Sequence, residues 1–125
     1  MAVVGLGIDV CGVDRIRRLL ASGRGARFLE RVYTPAERAE CSRRADAAAA
    51  FAARFAAKEA LIKALGAPSG LRWKDMEVMR EGSAPFFRLH GVAQAEVTRR
   101  RLRPLLAMTH DAGVAAATVI LEESR

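Results

Sequence analysis

Cysteine and long apolar segments are scarce in this chain, and each scarcity excludes a class of protein. The two cysteines, Cys11 and Cys41, lie far apart in the sequence, which excludes a disulfide-rich scaffold and the CxxC spacing of redox motifs. No segment is long and apolar enough to span a bilayer. The first residues also lack the layout of a signal peptide, because Asp9 interrupts their apolar stretch. We therefore predict a cytoplasmic protein with two reduced thiols and no membrane partner.

Aromatic residues are few as well, whereas positive charge is plentiful. The formal net charge is +7, and nine arginines accompany only four acidic residues between Asp14 and Arg44. Such an excess attracts a polyanion or an acidic protein surface. Aromatic residues form only 6% of the chain and no nucleic-acid recognition motif is present. We therefore do not expect nucleic acid as the partner.

The remaining composition is that of one globular domain. The chain has 125 residues, of which 51% are hydrophobic and 28% charged, and we assign residues 1–125 to a single domain. Strands and helices are predicted in mixed order without regular βαβ alternation, which indicates an α+β fold. Predicted strands cover residues 3–10, 73–80, 85–90, 105–109 and 114–122, and the longest predicted helix runs from about residue 46 to residue 65, where Gly66 ends it.

Shorter helices are predicted from capping signals. Thr34 to Glu37 form a capping box with proline at the first helical position, so we give Glu37 a structural role. Asp14 is predicted to cap a first helix, followed by a turn through Gly25. A last helix is predicted from Gly91 to about residue 103, where Pro104 ends it.

The long helix places charged residues among bulky apolar ones. On a helical wheel Arg54, Lys58 and Glu59 lie among or beside the large apolar side chains, while the opposite half of the helix is nearly all alanine. Charged groups in apolar surroundings must be paired or must hold a charged ligand. From the residues alone, two explanations stay open: simple ion pairing of Glu59 with Lys63, and a ligand site that also includes Asp9 at the end of the first strand.

Three groups of motifs, taken together, carry a family resemblance. They are Gly5-Leu6-Gly7-Ile8-Asp9-Val10 with Arg15-Ile16, Arg54-Phe55-Ala56-Ala57-Lys58-Glu59-Ala60 with Lys63-Ala64-Leu65-Gly66, and Thr109-His110 with Val119-Ile120-Leu121-Glu122. Over nearly the whole chain they resemble the holo-(acyl-carrier-protein) synthases, the small bacterial type of 4'-phosphopantetheinyl transferase. The resemblance implies Mg²⁺-dependent transfer of the phosphopantetheine arm of coenzyme A to a serine of an apo acyl carrier protein. The second product would be adenosine 3',5'-bisphosphate, and the pathway would be fatty acid or polyketide biosynthesis.

The resemblance also implies residue roles. Asp9 and Glu59 match the metal positions, where two carboxylates and phosphate oxygens suit Mg²⁺, and Lys63 matches the lysine near the pyrophosphate. Coenzyme contacts are implied for Arg54, Lys58, Lys63, Gly66, Thr109 and His110. Docking of the acidic carrier protein is implied for Arg15, Leu19, Arg24, Arg27, Phe28 and Arg31. Family members of this size are homotrimers with active sites at subunit boundaries.

Three positions depart from the family pattern, namely Gly12, Ala107 and Val114. A catalytically silent carrier-binding module of the same fold would account for these departures. A small basic nucleic-acid-binding domain would account for the charge, but it gives no reason for the metal-position carboxylates. The general base stays open between Glu59, a metal-bound water and a residue of a neighbouring subunit.

Overall fold

The computed structural model describes residues 2–82 and 84–124, in which two antiparallel sheets and several short helices surround one long helix. The strands are β1 (Val3–Gly12), β2 (Met76–Glu81), β3 (Ala84–Leu89), β4 (Leu102–Asp111) and β5 (Val114–Glu123). The helices are α1 (Val13–Ala21), α2 (Gly25–Val32), α3 (Pro35–Ser42), α4 (Ala47–Leu65) and α5 (Gly91–Arg99), and Trp73–Asp75 is a 3₁₀ turn. This arrangement confirms the predicted α+β fold. Within the described residues, every helix is too short or too polar to cross a membrane.

Helix α4 packs closely against one face of the three-stranded sheet, whose strands lie in the order β1-β5-β4. A Cβ atom on Gly7 would lie 1.9 Å from the carbonyl oxygen of Ala60, and one on Gly5 would lie 2.9 Å from that of Ala64. The glycines of β1 and the alanines of α4 therefore permit a backbone approach that larger residues would block. This contact holds Asp9, two residues beyond Gly7, beside the C-terminal half of α4.

The predicted ends of α4 and the predicted capping box are confirmed. Asp46 caps α4 by accepting a hydrogen bond from the Ala49 amide at 3.1 Å, and Gly66 ends the helix in the left-handed conformation, with φ of 81°. At α3, the Thr34 amide donates to Glu37 Oε1 at 2.9 Å and the Glu37 amide donates to Thr34 Oγ1 at 3.2 Å. Local side-chain chemistry therefore sets the boundaries of both helices.

Two predictions at the first helices are wrong. Helix α1 begins at Val13 without a side-chain cap, and Asp14 instead accepts a hydrogen bond from Arg17 at 2.6 Å within the first turn. Gly25 is not a turn residue but the first residue of α2. A Cβ atom there would lie 2.5 Å from the carbonyl oxygen of Leu20, so glycine is needed because α2 starts directly against the end of α1.

The predictions for the second half also need correction. Helix α5 ends at Arg99, and Pro104 lies inside β4 rather than ending a helix. β4 is an edge strand of its sheet, where a residue without an amide hydrogen is tolerated. His110 also belongs to β4, whereas the predicted strand ends one residue before it. The predicted strand from Trp73 begins only at Met76, because the preceding residues form the 3₁₀ turn.

Candidate active site

Asp9 and Lys63 meet where β1 passes the C-terminal half of α4. The Lys63 ammonium donates to Asp9 Oδ1 at 2.9 Å and to the carbonyl oxygen of Ile8 at 3.0 Å. The Asp9 side chain is only 17% exposed, whereas that of Lys63 is 54% exposed. Asp9 thus already attracts a cation, and the solvent-facing ammonium has room to reach a second anion.

Glu59 completes this cluster from one turn earlier on α4. Its side chain is half-buried, and no hydrogen bond or ion pair to it is present among residues 2–82 and 84–124. The Cys11 thiol lies close to both carboxylates: burial chiefly raises its pKa, Arg15 opposes this, and the charges of Asp9 and Glu59 raise the pKa further. Two carboxylates on the packed elements β1 and α4, one of them without a partner among the described residues, fit the ligand set through which proteins usually hold Mg²⁺ together with phosphate oxygens.

A cavity of about 320 Å³ lies between α4, β2 and the end of β4. Arg54 projects into it with a side chain that is 3% exposed. Its Nη1 donates to the carbonyl oxygen of Ala50 at 3.3 Å, but its Nε and Nη2 have no hydrogen-bond partner in the described structure. Buried guanidinium donors are seldom left unsatisfied. These donors therefore favour an anionic group inside the cavity.

Other cationic residues line the same cavity. His110 and Thr109 lie at its β4 wall, and Arg44 and Arg80 are also in the lining together with the cap residue Asp46. The Arg80 Nε is also buried without a partner among the described residues. Neither Arg44 nor Arg80 was predicted as a site residue. Arg80 carried no local signal, because a long-range arrangement brings β2 to α4.

The acidic residues near the cavity are too few to neutralise its positive charge. Glu40 accepts from Arg44 at 2.6 Å and from Arg43 at 2.7 Å, and it lies 3.7 Å from Arg54. The hydrogen bond from Arg44 chiefly lowers the pKa of Glu40, with burial opposing it. Asp46 pairs with Arg17 at 3.1 Å. One carboxylate shared among three arginines cannot neutralise them, so the cavity suits a phosphate group.

Lys58 is the site prediction that the structure corrects. Its ammonium is fully buried and donates to Glu37 Oε1 at 2.8 Å, to the Val32 carbonyl at 2.8 Å and to the Trp73 carbonyl at 3.0 Å. Burial chiefly lowers the pKa of Lys58, while the Glu37 carboxylate opposes this. All three ammonium hydrogens are used. Lys58 therefore has a structural role in place of the predicted coenzyme contact.

The two clusters lie on opposite sides of α4. Arg54 and Lys63 are nine positions apart, which separates them by roughly 180° around the helix and roughly 13 Å along it. Gly66 lies just beyond Lys63, at the exposed end of the helix. The structure therefore groups Asp9, Glu59 and Lys63, and separately groups Arg54, Thr109 and His110.

The outer face of the three-stranded sheet is apolar and exposed. Leu6, Ile8 and Val10 of β1 are 65%, 61% and 60% exposed, and they alternate with the residues that face α4. Ile120 of β5 pairs with both Leu6 and Leu105, so the apolar surface continues across the sheet. Contiguous apolar surface of this kind marks an interaction site.

Comparison with known proteins agrees with this fold. The model of the 4'-phosphopantetheinyl transferase superfamily matches residues 5–118. A holo-[acyl-carrier-protein] synthase of Myxococcus xanthus is 62% identical over 122 residues, which cover 98% of this chain and 97% of that protein. The ACPS–CoA complex of Chronobacterium ammoniagenes has a TM-score of 0.83 at 26% identity and covers 100% of both chains. Helicobacter pylori holo-[acyl-carrier-protein] synthase in complex with coenzyme A has a TM-score of 0.80 at 28% identity, covering 94% of this chain and 99% of that one.

These matches define the class of the protein as a transferase. The chain belongs to the 4'-phosphopantetheinyl transferase superfamily. The predicted resemblance to the holo-(acyl-carrier-protein) synthases of this superfamily is confirmed.

Proposed function

We propose that this protein transfers the 4'-phosphopantetheine arm of coenzyme A to a serine of an apo acyl carrier protein. The observation that carries the proposal is the cavity in which the buried Arg54 keeps two nitrogens that have no partner in residues 2–82 and 84–124, together with the Arg80 Nε, which has none there either. A phosphate on the adenosine end of the coenzyme would satisfy these donors. The 62% identity to a holo-[acyl-carrier-protein] synthase supports the same reaction.

The reaction moves one phosphoryl centre between two oxygens. The serine oxygen of the carrier forms a bond to the phosphorus that bears the pantetheine arm, and the bond from that phosphorus to the bridging pyrophosphate oxygen breaks. The serine proton passes to a general base, and adenosine 3',5'-bisphosphate leaves with the electron pair of the broken bond. Negative charge on the leaving group must be stabilised.

The Asp9–Glu59–Lys63 cluster supplies that stabilisation. Asp9 and Glu59 would hold Mg²⁺, which when bound neutralises phosphate oxygens. The Lys63 ammonium is 54% exposed and would donate to a pyrophosphate oxygen. Thr109 and His110 at the cavity wall, with Arg54, would orient the adenosine end, while Gly66 would lie along the path of the coenzyme.

The coenzyme site would be shared between subunits of a homotrimer. Within one chain, the Arg54 cavity and the Asp9–Glu59–Lys63 cluster face opposite sides of α4. A single coenzyme cannot easily contact both around a helix that is almost entirely buried. The exposed apolar sheet face offers an interface through which a second copy would bring its cavity towards the carboxylates. The shared site therefore explains both the separation and the exposed face.

An acidic carrier protein would approach over α1 and α2. The four arginines proposed for docking, Arg15, Arg24, Arg27 and Arg31, are all exposed, and Leu19 and Phe28 are half-buried between them. Long-range electrostatic attraction between these arginines and the carrier chiefly raises the association rate of the two proteins. The two unpaired cysteines, both buried as thiols, suit a reaction that takes place in the reducing cytoplasm.

Intact-mass spectrometry tests the proposed function. Apo acyl carrier protein is incubated with this protein, coenzyme A and Mg²⁺, with a chelator in a parallel sample. We expect the carrier to gain one phosphopantetheine arm and to lose this gain with the chelator. Carrier that binds but gains no mass would identify a silent binding module instead, and binding of nucleic acid without carrier binding would identify a nucleic-acid-binding domain.

A further inference from the structure

A row of aromatic rings links α2 to the 3₁₀ turn through α4. The ring centroids of Phe28 and Phe55 lie 6.0 Å apart, and those of Phe55 and Trp73 lie 5.2 Å apart with the two rings nearly parallel, at 25°. All three side chains are half-buried. The row thus gives the α2 side of the molecule an apolar strip that extends beyond α2 itself.

Exposed cations lie near the Trp73 end of this strip. Arg27 and Arg31 of α2 and Arg72 and Lys74 of the turn region are exposed, and none of the four forms a side-chain hydrogen bond or ion pair within the described residues. Two adjoining cavities, of about 620 and 300 Å³, share Arg31 and Lys74 in their walls. The cations therefore line one continuous groove with Trp73 in it.

The groove is held in place by the buried network below it. The Trp73 carbonyl accepts from the Lys58 ammonium at 3.0 Å, and the Asp75 amide donates to the Arg72 carbonyl at 3.0 Å. These bonds fix the turn before any partner arrives, so little conformational entropy is lost on docking. A rigid groove with Leu71 and Trp73 in its wall and charged residues around them has the form of a protein-binding site.

The charge pattern favours an acidic protein surface over nucleic acid or a free phosphate. The four cations outnumber the two carboxylates that also line the groove, Glu30 and Asp75, so its charge is positive but interrupted, which suits carboxylates spaced along a helix better than a closely packed polyphosphate. One face of Trp73 is stacked on Phe55, so the groove offers no run of free rings for successive bases. An amphipathic acidic helix could place its apolar residues against Leu71 and Trp73 and its carboxylates between the four cations.

We propose that the acyl carrier protein docks in this groove, so that Arg72, Lys74 and Trp73 form a second wall of its binding surface opposite Arg27 and Arg31. This inference rests on the proposed function, which supplies the acidic partner. It adds a surface on the 3₁₀ turn to the one proposed on α1 and α2. The charges at the rim of the groove would raise the association rate and the affinity for the carrier. The proposed coenzyme site lies outside the groove.

Charge reversal at the turn tests this surface. In the double variant R72E/K74E, we expect kcat/KM for the apo carrier to fall roughly tenfold at low salt, because two attractive rim charges become repulsive. The KM for coenzyme A should be unchanged. R99E/R101E carries the same change in net charge at the end of α5, outside the groove, and should change neither constant by more than about twofold. Thermal unfolding confirms that both variants remain folded.

Tryptophan fluorescence gives a readout that does not depend on turnover. Trp73 is the only tryptophan in the chain, so a carrier that lacks tryptophan should shift its emission on binding, and coenzyme A alone should not. If R72E/K74E and R99E/R101E lower kcat/KM equally, or if carrier bound by calorimetry leaves the Trp73 emission unchanged, the groove is not the docking site. A wild-type protein that never modifies the carrier would instead overturn the proposed function.

Discussion

Lys58 and Arg54 lie one turn apart on the same helix and are almost equally buried, yet their surroundings differ. The Lys58 ammonium has three acceptors for its three hydrogens. Within the part of the chain that the structure describes, Arg54 has five donors but only one weak hydrogen bond, at 3.3 Å, and a distant carboxylate at 3.7 Å. A buried charge with complete partners stabilises a fold, whereas one with missing partners costs free energy until a ligand supplies them.

The comparison teaches that burial alone does not assign a role to a charged residue. The family motif contains both cations, and the resemblance therefore implied the same role for both, as coenzyme contacts. The count of satisfied donors separates them. Glu59 follows the same rule as Arg54, because its carboxylate has no partner among the described residues although Lys58 is adjacent in sequence.

The largest effect on activity is expected for Glu59→Gln, which keeps the shape of the side chain but removes its charge. We expect the transfer rate to fall roughly 10³-fold, because a lost Mg²⁺ ligand removes several kcal/mol of charge stabilisation. The thermal unfolding midpoint should stay within a few degrees of wild type. Glu123→Gln, at an exposed carboxylate near the chain end, is the control and should be fully active. A Glu59→Gln rate within tenfold of wild type would contradict the metal role.

Lys58→Met is expected to produce the largest loss of stability. Removing the ammonium leaves the Glu37 carboxylate buried without its cation, which costs about 3–5 kcal/mol in unfolding free energy. Urea unfolding measures this loss. Adding Glu37→Gln should recover part of it, because the remaining partner is then uncharged. The KM for coenzyme A of the folded protein should not change, and a tenfold rise would restore Lys58 to the coenzyme site.

Arg54→Met should have the opposite signature. We expect the KM for coenzyme A to rise about tenfold or more, since a charge-assisted contact to phosphate is lost. The unfolding free energy should be unchanged or higher, because the unsatisfied donors are gone. Arg43→Met, at an exposed arginine beside the same Glu40, is the control. With dephospho-coenzyme A, which lacks the ribose phosphate, the KM values of Arg54→Met and wild type should be similar. If Arg54→Met raised the KM equally for both coenzymes, the ribose phosphate would not be bound by Arg54.

The smallest effect concerns pH and the buried network. Burial would raise the pKa of Glu77, but hydrogen bonds from Arg88, Thr34 and His90 outweigh it and hold the pKa at about 2, below the ordinary 4.5. The folded-state pKa is depressed, so this stabilisation is present above about pH 4.5 and is lost as the pH falls towards 2. Because Arg88 is half exposed, we expect roughly 1–2 kcal/mol. The unfolding free energy, measured with urea between these pH values, should change less with pH for Glu77→Gln than for wild type. An equal pH dependence in the two proteins would contradict this role of the Glu77 carboxylate.

Much of α4 and its caps was predictable because the signals are local. Asp46, Gly66 and the Thr34 capping box act on neighbouring backbone groups. The role of the paired glycines of β1 could not be read in the same way, because the alanines that they contact lie more than fifty positions away. Their close approach brings Asp9 to Lys63.

The missed features depend on distant contacts. Helix α2 begins at a glycine without a side-chain cap, so its start carries no sequence signal. Arg80 joins the cavity lined by Arg54 only because β2 packs near α4. The capping box predicted one role for Glu37, but its second role as the partner of Lys58 spans 21 positions. Such roles follow from the tertiary fold rather than from local pattern.

The shared coenzyme site can be tested most directly by mixing two impaired variants. Arg54→Met lacks one half of the proposed site and Glu59→Gln lacks the other, so at limiting coenzyme A each alone should modify the apo carrier at no more than roughly a tenth of the wild-type rate. Unfolding and refolding them together should restore roughly a quarter of the wild-type rate, because that share of subunit boundaries joins two intact halves. Intact-mass spectrometry of the carrier measures this rate. A mixture no more active than the two separate variants would contradict a coenzyme site built from two protomers.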